Sequence, residues 1–369
     1  MAISLKRSNP QTSNATCEGL KLSLNEREYA GRGRRKLEHL RYFQEDSNGN
    51  SGLEDVHLVH QALPELNWSD IDLACRWLGK NLAAPFIINA LTGGPPETLA
   101  INAALARVAR RTGIALAVGS QRAGLENKEW RESFTIVRRE NPDGLILANI
   151  GAGNSPADAG EAVAMITADG LQVHLNAAQE LVMPEGDRVF RGWLENIKGM
   201  VNTLDVPVIA KEVGFGLSRE TALQLYQAGV RFMDVGGRGG TNFAAIEERR
   251  RGRPVPALAE WGLSTAVSIL EIRELGLPVE IVATGGIHSA LDAARALALG
   301  AKIVGAAGYF LKILLEQGED ALTEEILHWQ EDLKRICLLT GCATPAELAT
   351  KPIVITGRTK AWLEGRQLR

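Results

Sequence analysis

The segment Leu171-Gln172-Val173-His174-Leu175-Asn176 alternates apolar and hydrogen-bonding side chains. As a strand, it sends Leu171, Val173 and Leu175 to one face and Gln172, His174 and Asn176 to the other. Uncharged polar groups on an inward face are costly to bury unpaired, so three in register point to a ligand site before a satisfied core. Lys211, in Val208-Ile209-Ala210-Lys211-Glu212-Val213, shares its parity with Ile209 and Val213. An inward ammonium needs an anion, either a bound ligand or an internal carboxylate such as Asp234. Gln179-Glu180 follows the first segment directly, and a hard oxygen ligand at Glu180 suits Mg²⁺ shared with substrate phosphates. Glu185 and Asp187 read as first-turn charges that favour a helix N-terminus.

Glycine clusters supply a second kind of chemistry. Gly236-Gly237-Arg238-Gly239-Gly240-Thr241, Thr284-Gly285-Gly286-Ile287 and Gly305-Ala306-Ala307-Gly308 each close an apolar run. Small residues let backbone N–H groups approach a phosphate, and the following helix adds its positive end. A tight turn also needs glycine, so the argument rests on two adjacent units sharing the pattern. Thr92-Gly93-Gly94, Gly119-Ser120-Gln121-Arg122 and Asn149-Ile150-Gly151 are further polar endings, suited to lining a flat heteroaromatic ring. No P-loop and no dinucleotide fingerprint stands in the right context.

Elements that could position these groups recur from Pro85 onward. Short apolar runs at 85–89, 115–119, 145–150, 171–176, 208–213, 232–236, 280–284 and 302–306 alternate with helical patterns such as 98–112, 218–228 and 290–299. Eight strand–helix units in one chain predict a closed (β/α)8 barrel, α/β in class, over an open doubly wound sheet. Barrel strands are dry on both faces, so polar residues at their C-terminal tips mark the rim where barrel active sites form. Further helices after Tyr309, including 323–339, are expected outside the barrel. Residues 1–30, rich in Ser, Thr, Asn and Gln, predict a mobile tail, leaving 31–369 as a single domain.

Bulk properties narrow the class. Hydrophobic residues make up 45% and charged residues 23%, and the formal net charge is -3, so nothing global attracts nucleic acid or an anionic membrane. Anionic ligands must then be held locally, and Arg32, Arg34, Arg35, Lys36, His39 and Arg41 cluster near the start. Cys17, Cys75, Cys337 and Cys342 form no metal-binding spacing, and Cys337 with Cys342 reads as helix-end packing. This usage fits a reducing compartment, and without a membrane span or signal-peptide core the cytoplasm is expected.

His174-Leu175-Asn176-Ala177-Ala178-Gln179-Glu180, Pro184-Glu185-Gly186-Asp187-Arg188, Lys211-Glu212-Val213-Gly214-Phe215-Gly216, Gly237-Arg238-Gly239-Gly240-Thr241 and Arg35-Lys36-x-x-His39 occur in order along the chain. Together they resemble the type 2 isopentenyl-diphosphate isomerases, flavin-dependent barrel enzymes. The resemblance implies interconversion of isopentenyl and dimethylallyl diphosphate with reduced FMN, NADPH and Mg²⁺, in a homo-oligomer (a tetramer or octamer). It implies that Arg35 and Lys36 hold the diphosphate, the Arg fork bidentately and the Lys as a point charge. Ser120, Gln121, Arg122, His174, Asn176 and Gln179 would face the substrate, with Gln179 close to the chemistry and Glu180 on Mg²⁺. Thr92, Gly93, Gly94, Ser120, Asn149, Lys211, Thr241, Gly285, Gly286, Ile287, Ala307 and Gly308 would hold FMN. Gly236 stands where many relatives have Ser, and His288 where they often have Arg. Ala177, Ala178 and Met183 also depart from the usual pattern.

The implied reaction moves a double bond with no net redox change. The reduced flavin is the expected proton donor and cation stabiliser, with Gln179 orienting or relaying the allylic proton. Two other readings compete with it. An FMN-dependent 2-hydroxy-acid oxidase would need a His base beside Arg residues gripping a carboxylate, yet His174 sits among amides. A non-catalytic phosphate-binding barrel would lack both the Gln179-Glu180 pair and the Arg35-Lys36 clamp.

Overall fold

The structure, a computed structural model, describes residues 50–252, 258 and 260–368. Eight parallel strands close on themselves: β1 Phe86–Ile88, β2 Ala115–Ala117, β3 Ile146–Gly151, β4 Gly170–Leu175, β5 Val208–Glu212, β6 Phe232–Asp234, β7 Glu280–Thr284 and β8 Ile303–Ala306. Each strand neighbours the next in sequence, and β8 returns to β1 with Gly305 opposite Ile87, which excludes the open sheet. All eight expected strands are present, several shorter at one end.

Strand parity builds two cores. Leu116, Ile146, Leu171, Val173, Ala210, Met233, Ala283 and Val304 face outward to the helices. Ile87, Ala115, Leu145, Leu147, Ile209, Val282 and Ile303 pack inside the barrel. The inner core includes Trp77 and Leu82 from an antiparallel hairpin, Cys75–Trp77 with Lys80–Leu82, that plugs the end of the barrel where the strands begin. The hairpin turns through Leu78 (φ 46) and Gly79 (φ 81), a left-handed pair that suits a two-residue loop. A leucine in that conformation costs about 1 kcal/mol or more. Packing of Leu78 on the same inner core offsets it. Nothing in the sequence analysis anticipated this hairpin.

Helix ends follow their signals. Thr98–Thr112 stops at Gly113 (φ 67), and Arg219–Gln227, Thr265–Arg273 and Ala290–Ala298 begin on Ser218, Ser264 and Ser289, whose side chains accept N–H groups of the first turn. As expected, the helices after Tyr309 lie outside the barrel. Glu319–Leu339 docks on Thr98–Thr112, where Arg107 makes a bidentate pair with Glu319 and Gln330 donates to the Thr112 carbonyl (2.8 Å). A strand pair, Val56–Leu58 with Ile353–Ile355, joins the two ends of the described chain. Cys337 and Cys342 are buried free thiols, as the packing reading requires, and burial pushes Cys337 up to about 12. Among the described residues no group of three or more metal-ligating side chains occurs. Cys17, the basic cluster with Arg35 and Lys36, and the 1–30 tail lie outside the described residues.

Candidate active site

Above the inner apolar layer the same parity changes character. Asn89 on the tip of β1, Gly119 after β2, Asn149 on β3, Gln172 on β4, Lys211 on β5, Asp234 on β6 and Thr284 on β7 continue the inward rows. Apolar residues below and polar residues above make a barrel that is packed at one end and open to chemistry at the other. A cavity of about 1010 Å³ opens over these tips.

The polar layer is tightly bonded. Lys211 Nζ lies 3.0 Å from Asp234 Oδ2 and 3.4 Å from the Thr284 hydroxyl, which itself bonds to Asp234. Asp234 also accepts from the Asn89 amide (2.7 Å) and the Gly236 N–H (3.2 Å). The internal carboxylate is engaged, and the ammonium also lines the cavity. Gln172 is a satisfied core residue, fully buried between Asn89 and Asn149. His174 and Asn176, one and two pleats further along, reach the cavity.

Gln179 and Glu180 come from the short helix Ala177–Val182 that caps β4, and both line the cavity. Glu180 accepts from Asn176 Nδ2 (2.8 Å) and from the Asp187 N–H (2.8 Å). Glu185 and Asp187 also line the cavity, in a loop ahead of the helix Trp193–Thr203. Their first-turn reading is therefore corrected: no helix begins there. Ser120 and Arg122 line the opposite wall, where Arg122 bonds to Asn154 and to Glu126 (2.8 Å).

Four expected contacts are displaced. Gln121 turns away from the cavity and is fully buried, donating to the Ala162 carbonyl (2.8 Å) and accepting from the Asn149 N–H (3.0 Å). With both ends of its amide engaged by the chain, it braces the rim. Thr92, Gly93 and Gly94 sit behind the wall. The Thr92 carbonyl accepts from Gly119 N–H (2.9 Å), a side chain on Gly93 would strike Phe134, and Gly94 donates to Ser133 (2.8 Å). The Thr92 hydroxyl is buried with no hydrogen-bond partner among the described residues.

Thr241, Gly285, Gly286, Ile287, Ala307 and Gly308 gather on the β6–β8 side of the cavity. Here backbone packs on backbone: a Cβ on Gly285 (φ 105) would lie 2.0 Å from the Gly237 carbonyl oxygen, and one on Gly240 would lie 2.7 Å from the Gly286 nitrogen. The helix Gly308–Gln317 begins at Ala307 with no side-chain cap, and Ala307 and Gly308 line the cavity. This donor set suits a phosphate monoester, and the polar tips beside it suit a flat heterocycle; FMN combines the two.

Nearby ionisable groups are held off their ordinary values. Burial pushes the Glu212 carboxyl, which accepts from Phe215 and Gly216 N–H groups behind Lys211, up to about 8. Burial also lowers His288, which faces Tyr309. Tyr309 donates to Glu325 (2.6 Å) and is pushed up to about 12, first by burial. Asn89, Asp234, Asn154, Tyr309 and Lys312 are site residues the sequence analysis did not assign. Only Asp234 carried a signal, as the alternative partner of Lys211.

A family model described as FMN-dependent dehydrogenase matches residues 149–355. An isopentenyl-diphosphate delta-isomerase of Moorella thermoacetica is 92% identical over 344 residues, covering 93% of this chain and 99% of that protein. One of Bacillus licheniformis is 47% identical over 337 residues, covering 91% and 97%. Among solved structures, a mandelate oxidase aligns with TM-score 0.62 at 16% identity over 86% of this chain and 94% of its own. A lactate oxidase of Pediococcus acidilactici aligns with TM-score 0.66 at 14% identity, over 87% and 90%. At such identities these oxidases share the fold with this chain.

Proposed function

The chain belongs to the type 2 isopentenyl-diphosphate isomerase family, built on the barrel of the FMN-dependent dehydrogenases, and from that premise we propose how its rim interconverts isopentenyl and dimethylallyl diphosphate. One observation carries the reading: Gln179 and Lys211, on neighbouring units, face one cavity together with the glycine cradle of β6 to β8. Gly285, Gly286, Ala307 and Gly308 would hold the phosphate of FMN, and Asn149, Lys211, Ser120 and Thr241 its ring. When bound and reduced, it supplies the acid–base group and an electron-rich ring for a reaction without net redox change.

The chain's own residues do the rest. Lys211, held by Asp234 and Thr284, presents a positive charge that favours an anionic ring edge. Gln179 orients the allylic carbon and its departing proton; a neutral amide positions better than it ionises. Arg122, His174 and Asn176 bind the substrate, joined by Arg35 and Lys36 from outside the described residues. Glu180 would hold Mg²⁺ together with the substrate diphosphate, as suits an ion that dehydrates reluctantly. NADPH serves to reduce the flavin at the start. The apolar inner core and the plugged barrel end keep bulk water from beneath the reacting carbons.

We place the protein in the cytoplasm as a homo-oligomer. No helix among the described residues is long and apolar enough to cross a membrane. The decisive experiment mixes purified protein with FMN, NADPH, Mg²⁺ and isopentenyl diphosphate. Dimethylallyl diphosphate should form over many turnovers without matching loss of NADPH; stoichiometric consumption of the nicotinamide would instead mark a redox enzyme.

A further inference from the structure

Four hydrogen bonds join Asp234 to His174 through the barrel interior. Asn89 Nδ2 donates to Asp234 Oδ2 (2.7 Å), and Gln172 Nε2 donates to Asn89 Oδ1 (2.8 Å). Asn149 Nδ2 donates to Gln172 Oε1 (3.1 Å), and Asn149 Oδ1 lies 2.8 Å from His174 Nδ1. Asn89, Asn149, Gln172 and Asp234 are all at most 2% exposed.

The chain has a fixed direction. Asp234, facing the Lys211 ammonium, can only accept, so Asn89 must turn its nitrogen toward it. The Ala90 N–H, 2.8 Å from Asn89 Oδ1, demands the same orientation independently. Asn89 then offers only oxygen to Gln172, which must donate and so offers only oxygen to Asn149. Asn149 must donate in turn and offers only oxygen to His174. The ring can satisfy that oxygen only by carrying hydrogen on Nδ1. Its other nitrogen, Nε2, stands over Gly151, where a Cβ would come within 3.0 Å of it.

We infer that Asp234, Asn89 and Gln172 are positioning residues that fix His174, through Asn149, in the Nδ1–H tautomer, so that Nε2 meets a ligand as a lone pair or, once protonated, as an imidazolium, and never as a neutral donor. For the diphosphate this has a consequence, which rests on the function proposed above. A phosphate oxygen carries only lone pairs and repels a bare Nε2, so His174 grips the diphosphate by taking up a proton as it binds. Among the described residues, the charged groups that line the cavity with the ring include Lys211 on β5, Arg122 on the helix Arg122–Glu126, Glu180 on the helix Ala177–Val182, and Glu185 and Asp187 in the loop beyond. Lys211 is already engaged by Asp234, and Glu180 by Asn176 and the Asp187 N–H.

The test uses FMN-loaded protein labelled with ¹⁵N-histidine, His174→Asn serving only to assign the signal. Above the ordinary histidine range of about 6.5, the wild type should show Nδ1 protonated and Nε2 bare. Gln172→Leu frees the Asn149 amide to rotate and should move the population toward Nε2–H. Gln172→Glu, which as a neutral acid can donate to Asn89 and accept from Asn149, should restore the wild-type pattern. A wild type with hydrogen on Nε2 overturns the inference, and so does a tautomer unmoved by Gln172→Leu. In a second arm, magnesium and inorganic pyrophosphate are titrated in by calorimetry, at one pH, in buffers of different ionisation enthalpy. Wild type should take up about one more proton per site than Gln172→Leu, because only its ring must be charged to donate. Equal uptake overturns the diphosphate consequence. Failure to bind pyrophosphate at all overturns the diphosphate reading of the cavity, and the tautomer stands or falls on the first arm.

Discussion

Replacing Asp234 with Asn removes one charge from a pair whose Nζ–Oδ2 separation is 3.0 Å and whose side chains are 9% and 0% exposed. With so little solvent at either group, the surface discount on ion pairs does not apply. At an effective dielectric of about 20, two unit charges at that distance attract by about 5 kcal/mol. Breaking one side of a buried pair generally costs about 3–5 kcal/mol, because the remaining charge stays desolvated. The hydrogen bonds worsen the change. Both Asp234 oxygens accept, one from Gly236 N–H and the Thr284 hydroxyl and the other from Asn89 and Lys211, so an Asn amide must aim its own hydrogens at donors. Asp234→Asn should therefore lose at least about 3 kcal/mol in urea unfolding of the FMN-free protein. The double variant Asp234→Asn/Lys211→Met should recover part of that loss, since it removes the stranded ammonium. Two results would refute the reasoning: a single variant within about 1 kcal/mol of wild type, or a double variant less stable than the single. Either would mean that Lys211 does not depend on Asp234 for its burial.

Gly285→Ala places a Cβ 2.0 Å from the Gly237 oxygen at a φ of 105, and should weaken FMN binding about tenfold or more in a flavin fluorescence titration; unchanged affinity would take the phosphate off this cradle. Gln179→Asn withdraws the amide by one methylene, and turnover should fall about a hundredfold with FMN affinity retained. Full turnover from a folded variant would remove Gln179 from the chemistry. Glu212, with its carboxyl raised from 4.5 to about 8, binds its proton more tightly folded than unfolded. The stability this gives is complete below 4.5 and disappears as pH rises through about 8, so wild type should lose more stability than Glu212→Gln between pH 5 and pH 9. Parallel curves in denaturant titrations across that range would contradict the assignment.

The fold was legible because barrel strands are local objects. Each is a short apolar run ended by glycine or a polar residue, and the parity of 171–176 already separates the inward from the outward row. The glycine clusters were legible for the same reason, since close backbone approach leaves few other choices of residue. What stayed hidden depends on partners far away in sequence. Nothing in Gly119-Ser120-Gln121-Arg122 says that Gln121 finds the Ala162 carbonyl and turns away from the cavity while its neighbours face it. Asn89 and Asp234 are 145 residues apart, and only barrel closure makes them neighbours. Glu185 and Asp187 look like the opening of a helix until the chain is seen to run on to Trp193 before one begins. The hairpin turn at Leu78-Gly79 lacks the usual asparagine or aspartate, so its local signal was weak, and only the inner core explains why leucine is tolerated there.

Trp77 and Leu82 seal one mouth of the barrel, and the inner core fills the space behind them. Every molecule that visits the rim must then use the same doorway. Whatever settles deepest is trapped by whatever arrives after it, so the order of departure reverses the order of arrival. A cofactor seated first would be held in place by a substrate that bound after it, and exchange of the cofactor should slow whenever substrate is present.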